Sequence, residues 1–258
     1  AIHPPMRVLL AFDKFKDSLT APAACASAAR ALQAAHPEWT LDPCPLADGG
    51  EGFCAILTAA TGGELRRFSV SGPRQGEVEA PIGFVSLERI PPAARSLLGV
   101  SVAPISDPNA PPLVAIIEMA AASGLALLAP ELRDPWQTTT VGTGELIRAA
   151  AGAGAAAILL GVGGSATHDL GLGALASLGL EFLSTQGDPI APPIPARWPE
   201  LSRIAGRIAP ALPPIRIACD VTNPLLGSRG AAATYGPQKG LRPGDLARLD
   251  HASARLAL

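Results

Sequence analysis

Three glycine-bordered polar segments hold most of the residues able to do chemistry in this chain. They are PLADGGEG (Pro45 to Gly52), GVGGSATHD (Gly161 to Asp169) and ACDVTNPLLG (Ala218 to Gly227). Each joins an acidic residue to small neighbours that let backbone N–H groups come close to a ligand. Two lysines stand in further loops, Lys16 in DKFKDS and Lys239 in YGPQKG. Acids, cations and glycine turns in this combination suit an anionic substrate and a metal–phosphate group.

Each segment has a chemical and a structural reading. In GVGGSATHD, Gly161, Gly163 and Gly164 clear side chains from the backbone, and Ser165 and Thr167 add hydroxyls. Such a nest can hold a phosphate or a carboxylate. Asp169 beside it is expected to orient or deprotonate a substrate hydroxyl; the alternative is a strand-to-helix turn capped by Asp169. In ADGGEG, Asp48 and Glu51 flank Gly49 and Gly50, two carboxylates suited to Mg²⁺ or substrate hydroxyls. The same pair would also make an acidic capping box, with Asp48 as N-cap and Glu51 at N3. Asp220 and Asn223 offer oxygen ligands, or an Asx turn into Pro224. Lys16 and Lys239 would neutralise carboxylate or phosphate charge, against the ordinary fate of a lysine, which is solvation.

Residues Gly161 to Ala166 also fit G-x-G-x-x-A, the dinucleotide fingerprint, with Glu181 twenty residues beyond Gly161. The helix that should follow carries Gly171, Gly173 and Gly179, and Glu181 begins its strand rather than ending it. An NAD(P)-binding oxidoreductase therefore stands as an alternative. There is no GxxxxGK[ST] loop, HRD…DFG set, GxSxG elbow or HExxH pair, and His3, His36, His168 and His251 share no ligand spacing.

The elements that must position these loops follow from apolar runs and their punctuation. Arg7 to Phe12 reads as a buried strand, followed by a helix from a Thr20 cap, with Pro22 in its first turn, to His36. Thr40 to Leu46 is a second extended segment and Glu51 to Ala60 a helix stopped by Gly62 and Gly63. Leu65 to Val70 and Val78 to Val85 read as a hairpin, Pro91 to Pro112 as irregular connection, and Leu113 to Ile117 as a strand ending at Glu118. Thr140 to Ala151 is a helix, Ala155 to Leu160 and Ile215 to Cys219 are strands, and Pro243 to Leu258 is an amphipathic helix. Strand-like runs that end at polar loops predict an α/β protein with ligands outside the carboxyl ends of a parallel sheet.

Composition removes other classes. Of 258 residues 48% are apolar and 16% charged, with a net charge of −2, which excludes a disordered chain. No cluster of four or more Lys/Arg occurs, so no basic stripe exists for nucleic acid. The uncharged stretch Ala149 to Ala166 contains five glycines and reads as helix end, strand and loop rather than a membrane span. Cys25, Cys44, Cys54 and Cys219 form no CxxC pair and sit among apolar neighbours, as buried thiols of a reducing, cytoplasmic setting do.

Taken in order, VLLAFDKFKDSLTA, PLADGGEG, AIIEMAAASGL, TTTVGTGELI, GVGGSATHDLGLGALASLG, ACDVTNPLLG and GAAATYGPQKG resemble the bacterial glycerate kinases that form 2-phosphoglycerate. The resemblance runs through almost the whole chain. It implies transfer of the ATP γ-phosphoryl group to D-glycerate with Mg²⁺, in two α/β domains of mainly parallel sheets with the active site in the cleft between them. Residues 1–64 would be the N-terminal part of a Rossmann-like domain completed by the C-terminal region, of which 241–258 is the start, and 65–240 the second domain. On this basis Asp169 and Lys16 are expected to be catalytic. Asp13, Ser18, Asp48, Gly49, Gly50, Glu51, Gly163, Gly164, Ser165, Thr167, Asn223 and Lys239 would contact substrate or nucleotide, and Asp220 and Asp48 the metal. The chain departs from the family pattern at Lys14 (serine in the family), Asp17 (glycine), His168 (asparagine) and Leu170 (glycine). Family members also continue well past YGPQKG, which predicts uncovered strand edges, self-association and weak activity, or at the limit a non-catalytic anion-binding remnant.

Overall fold

The computed structural model describes residues 6–16, 18–98, 111–208 and 211–257. The order begins with β1 (Arg7–Leu10), α1 (Ala21–Ala35), β2 (Thr40–Pro43) and α2 (Phe53–Ala60). It continues with β3 (Glu64–Ser71), β4 (Glu77–Ser86), α3 (Pro92–Leu98), β5 (Leu113–Glu118), α4 (Ala120–Ser123), α5 (Val141–Gly152) and β6 (Ala155–Gly161). The last elements are α6 (Leu172–Ser177), β7 (Leu180–Leu183), β8 (Arg203–Gly206), β9 (Ile215–Ala218), α7 (Ala231–Tyr235) and α8 (Leu246–Ala257).

The strongest local signals produce the expected elements. Thr20 caps α1, its hydroxyl accepting from the Ala23 N–H at 3.3 Å, and Pro22 lies in the first turn, where its missing N–H costs nothing. Cys25 turns inward from this helix and donates its Sγ–H to the Leu10 carbonyl, tying α1 to β1. β1 and β2 pair in parallel, from Arg7 opposite Thr40 to Leu10 opposite Pro43. The capping box expected at Asp48 and Glu51 does not form: α2 starts after Gly52 at φ +91°, and Asp48 is used elsewhere. Pro91 to Pro112 is less irregular than its composition suggested, since α3 occupies Pro92–Leu98; positions 99–110 lie outside the described residues.

The main sheet has five strands in the order β3-β4-β5-β6-β9. β4 runs antiparallel to both β3 and β5, while β5, β6 and β9 are parallel to one another. The protein is therefore α/β as expected, with an antiparallel hairpin added to the parallel part of the sheet. β5 and β6 read as unbroken apolar runs because both faces are covered. On one face Leu146, Ile147 and Ala150 of α5 pack on Ile82, Ile117 and Ile158; on the other Phe53 and Cys54 of α2 pack on Val85, Val114 and Ile116. Each such buried aliphatic side chain contributes about 1.5–3 kcal/mol, which fixes the loop-bearing ends of the strands. A smaller cluster joins Leu249 of α8 to Trp198, Ala232 and Leu241. β9 is an edge strand with Ile217 63% exposed, and Leu9 of β1 is 62% exposed, so apolar side chains are uncovered on both sheets.

Candidate active site

β2, β6 and β9 deliver the three acidic glycine loops to one place, and the loops touch through their backbones. The Gly163 N–H donates to the Gly49 carbonyl at 3.0 Å, and the Val162 N–H to the Ala218 carbonyl at 3.4 Å. A Cβ on Gly163 would lie 2.7 Å from Gly50 N and Cα, and one on Gly49 would lie 3.0 Å from the Ala218 oxygen. Backbone contact this close leaves room for glycine alone. Gly163 gives its N–H to this junction rather than to a ligand; Gly164 beside it adopts φ +71°.

The loop after β1 closes the other side. Lys14 donates from Nζ to Asp48 Oδ1 at 2.9 Å and lies 3.9 Å from Asp13. Burial opposes the charge on Lys14, but the hydrogen bond and charge of Asp48 outweigh it and raise its pKa. Burial would likewise raise Asp48, yet the Lys14 bond and the Gly50 N–H hold it below the ordinary carboxylate range. Asp13 accepts from the Lys14 N–H at 2.6 Å. Lys16 and Ser18 are exposed and line a hollow of about 440 Å³ with Lys14, Glu51, Gly52 and the first turn of α1. Of the residues expected to meet ligand, Lys16, Ser18, Glu51 and the Asp48–Gly50 turn are thus brought together.

Glu118 also belongs to this end of the sheet. It closes β5, is 9% exposed, and accepts from the Cys54 N–H at 3.3 Å. Burial raises its pKa, against the N–H groups of Cys54 and Gly52. Its signal in the sequence was a lone charge ending the apolar run LVAIIE, which earlier marked only the end of a strand.

Four expectations are corrected. Asp169 does not face the cleft: it is 1% exposed, and its Oδ2 accepts from Thr140 N (2.7 Å), Thr140 Oγ1 (2.8 Å) and Gly173 N (3.2 Å), while Oδ1 accepts from Gly171 N (3.3 Å). Burial raises its pKa and these donors oppose the rise. It holds the starts of α5 and α6, which is the capping alternative. Lys239 is buried rather than presented to solvent, and its Nζ donates to Ser165 Oγ (2.9 Å) and the Thr167 carbonyl (2.6 Å), pinning the nest from behind. Burial lowers its pKa to about 8, with the Asp169 charge opposing. Asn223 binds the Arg229 carbonyl, Thr234 Oγ1 and the Tyr235 hydroxyl, so it shapes its own loop. The dinucleotide geometry also fails, because α6 begins only at Leu172 and Glu181 lies in a separate β7–β8 pair.

Among the described residues no group of three His, Cys, Asp or Glu side chains could hold a metal ion by itself. Mg²⁺ bound through nucleotide phosphates needs only one or two protein carboxylates. Asp220 fits that need: it is exposed, with no hydrogen-bond or ion-pair partner among the described residues. Asp48 fits only if it leaves Lys14.

His168 makes the nest pH-sensitive. Its Nε2 lies 3.2 Å from Ser253 Oγ, which itself donates to the Leu249 carbonyl, so the neutral ring donates to Ser253. Burial first, and then the Lys239 charge, lower its pKa to about 4, with Asp250 opposing. Between pH 6.5 and 4 the unfolded chain therefore binds the proton that the folded chain resists, and stability falls as pH falls through this window. The loss is about 3 kcal/mol at most. His168→Asn should flatten the stability profile from pH 6.5 to 4 in urea titrations; an unchanged slope would remove His168 as its source.

Comparisons with known proteins show the family of the chain. The model of the glycerate kinase family matches residues 8–258. The glycerate kinase of Haemophilus influenzae is 39% identical over 98% of this chain and 61% of its own length; that of Bacillus subtilis is 38% identical over 91% and 56%. The glycerate 2-kinase of Escherichia coli is 35% identical over 95% and 59%. A crystal structure from Salmonella typhimurium LT2, provisionally named glycerate kinase 2, superposes with a TM-score of 0.71 at 37% identity, covering 98% of this chain and 62% of that one. The chain spans about three-fifths of the length of these relatives. The match over nearly its whole length, with the glycine loops at the strand ends, places it plainly: this chain belongs to the glycerate kinase family.

Proposed function

We propose that this chain takes part in transfer of the ATP γ-phosphoryl group to D-glycerate, giving 2-phosphoglycerate, as a protein of the cytoplasm. The observation that carries the reading is the meeting of the three glycine loops with the Lys14–Lys16 loop at one end of the sheets. Phosphoryl transfer depends on positioning and charge neutralisation more than on covalent chemistry. Lys16 meets the anionic ligand at the mouth of the cleft, and the Gly164 region lies along the phosphates. Glu51 and Glu118 are the carboxylates placed to receive or orient a hydroxyl proton. Asp220, assisted by Asp48 once that group leaves Lys14, holds Mg²⁺, which when bound offsets phosphate charge. Asp169 and Lys239 act as positioning residues that keep the nest in shape.

Calorimetric titration with ATP–Mg²⁺, D-glycerate and NAD tests this reading. ATP–Mg²⁺ and glycerate should bind and NAD should not, and product carbon assignment by NMR should place the phosphate on the second carbon. Lys16→Ala should weaken at least one of the two ligands by roughly tenfold, the worth of a charge-assisted contact, with the unfolding midpoint unmoved because the side chain is exposed. Unaltered affinity for both ligands would return Lys16 to a solvated surface role.

A further inference from the structure

A cavity of about 810 Å³ lies outside the cleft. It lies between the 131–137 segment, the Pro195–Pro199 turn and one face of α8, and Lys14, Lys16, Asp48 and Asp220 are all absent from its lining. Five arginines line it against three acids, Glu131, Asp134 and Asp245. The α8 contribution is a helical stripe, Arg248, His251, Ala252 and Arg255 at i, i+3, i+4 and i+7, so one face of the helix supplies it.

Two of the acids are already occupied. Asp134 accepts from the Trp136 N–H at 3.0 Å, and Asp245 pairs with Arg248 at 3.4 Å. Arg242 and Arg255 have no hydrogen-bond or ion-pair partner among the described residues, and the Arg248 guanidinium lies 4.2 Å over the Trp136 ring. The indole N–H of Trp136 is buried and has no partner, the sole such side-chain atom among the described residues, whereas Trp198 across the cavity donates to the Pro193 carbonyl. A buried donor without an acceptor costs about 1–3 kcal/mol, and it stands in the ring on which Arg248 stacks. Positive charge in excess and planar guanidiniums without partners are what an oxyanion meets in a binding site.

We propose that this cavity binds a small ligand carrying two anionic groups, phosphate or carboxylate, as a site separate from the cleft. Arg242 and Arg255 grip the anions and Arg248 turns from Trp136 toward them. The site adjoins the cleft through two connections: Gly240 of its wall follows Lys239, and α8 carries both the arginine stripe and Ser253, the partner of His168.

Pyrophosphate and malonate are the probes, followed by calorimetry and tryptophan fluorescence on the 258-residue chain. Saturable binding of either that depends on Arg242 and Arg255 upholds the site, and the preferred probe tells a phosphoryl from a carboxylate ligand. Arg242→Ala/Arg255→Ala should weaken binding roughly tenfold or more, and affinity should fall steeply with salt. Both side chains are exposed, so the double variant should keep its fold. Lys16→Ala should leave the arginine-dependent binding of either probe unchanged, whatever it does in the cleft. Absence of saturation, indifference to the arginines, or loss on Lys16→Ala would overturn the proposal, the last by moving the probe into the cleft.

Discussion

Asp169→Ala is expected to destabilise the protein by about 3–5 kcal/mol, the cost of leaving several buried donors without their charged acceptor. Thr140 N, Thr140 Oγ1, Gly173 N and Gly171 N would all lose their partner in a site that is 1% exposed. Against a typical total of about 5–15 kcal/mol, this is a large share. Asp169→Asn should cost less, because an amide oxygen in the Oδ2 position keeps the two Thr140 contacts and Gly173, and only the Gly171 contact faces an NH₂ group. The order Ala worse than Asn, measured by urea unfolding, separates a capping carboxylate from a catalytic one. A catalytic Asp169 without a capping role would instead leave both variants near the parent stability, with turnover abolished.

Gly163→Ala is expected to separate the two loops that build the cleft. The new Cβ would stand 2.7 Å from Gly50 N and Cα and 3.1 Å from Gly49 C, and backbone cannot rotate away as a side chain can. The ADGGEG turn must move, taking with it the Gly163–Gly49 hydrogen bond and the acceptor of Lys14. Overpacking of this kind costs about 1–3 kcal/mol, and a shift near 1 Å in a positioning loop can cost on the order of 10²-fold in rate. Gly152→Ala is the matched control, since its Cβ meets nothing within 4 Å near the end of α5; it should be neutral or slightly stabilising. Thermal unfolding and nucleotide titration of the two variants side by side decide the matter. If Gly163→Ala behaves like Gly152→Ala, the loops do not pack as described.

The sequence alone determined what depends on near neighbours in the chain. The Thr20 cap, the Gly62–Gly63 stop, the β3–β4 hairpin around Gly72 to Gly76 and the apolar runs of β5 and β6 are written in spacing and residue type, because the forces that make them act over a few residues. The order of the glycine loops was legible in the same way, and with it the family. Which polar group faces ligand was not. Asp169 and Asp48 each lie in a glycine-bordered loop, yet one is capped inside by Thr140, 29 positions earlier, and the other is held at the cleft by Lys14, 34 positions earlier. Lys239 looked like a loop cation and is a buried strut because Ser165 and Thr167, more than 70 positions away, lie against it. Glu118 looked like a strand end and stands beside α2 through Cys54, 64 positions earlier. A carboxylate or an ammonium takes its role from its partners and its exposure. Those partners were set by the strand order β4-β5-β6-β9 and by the helices laid across it, a choice made only when the whole core packs.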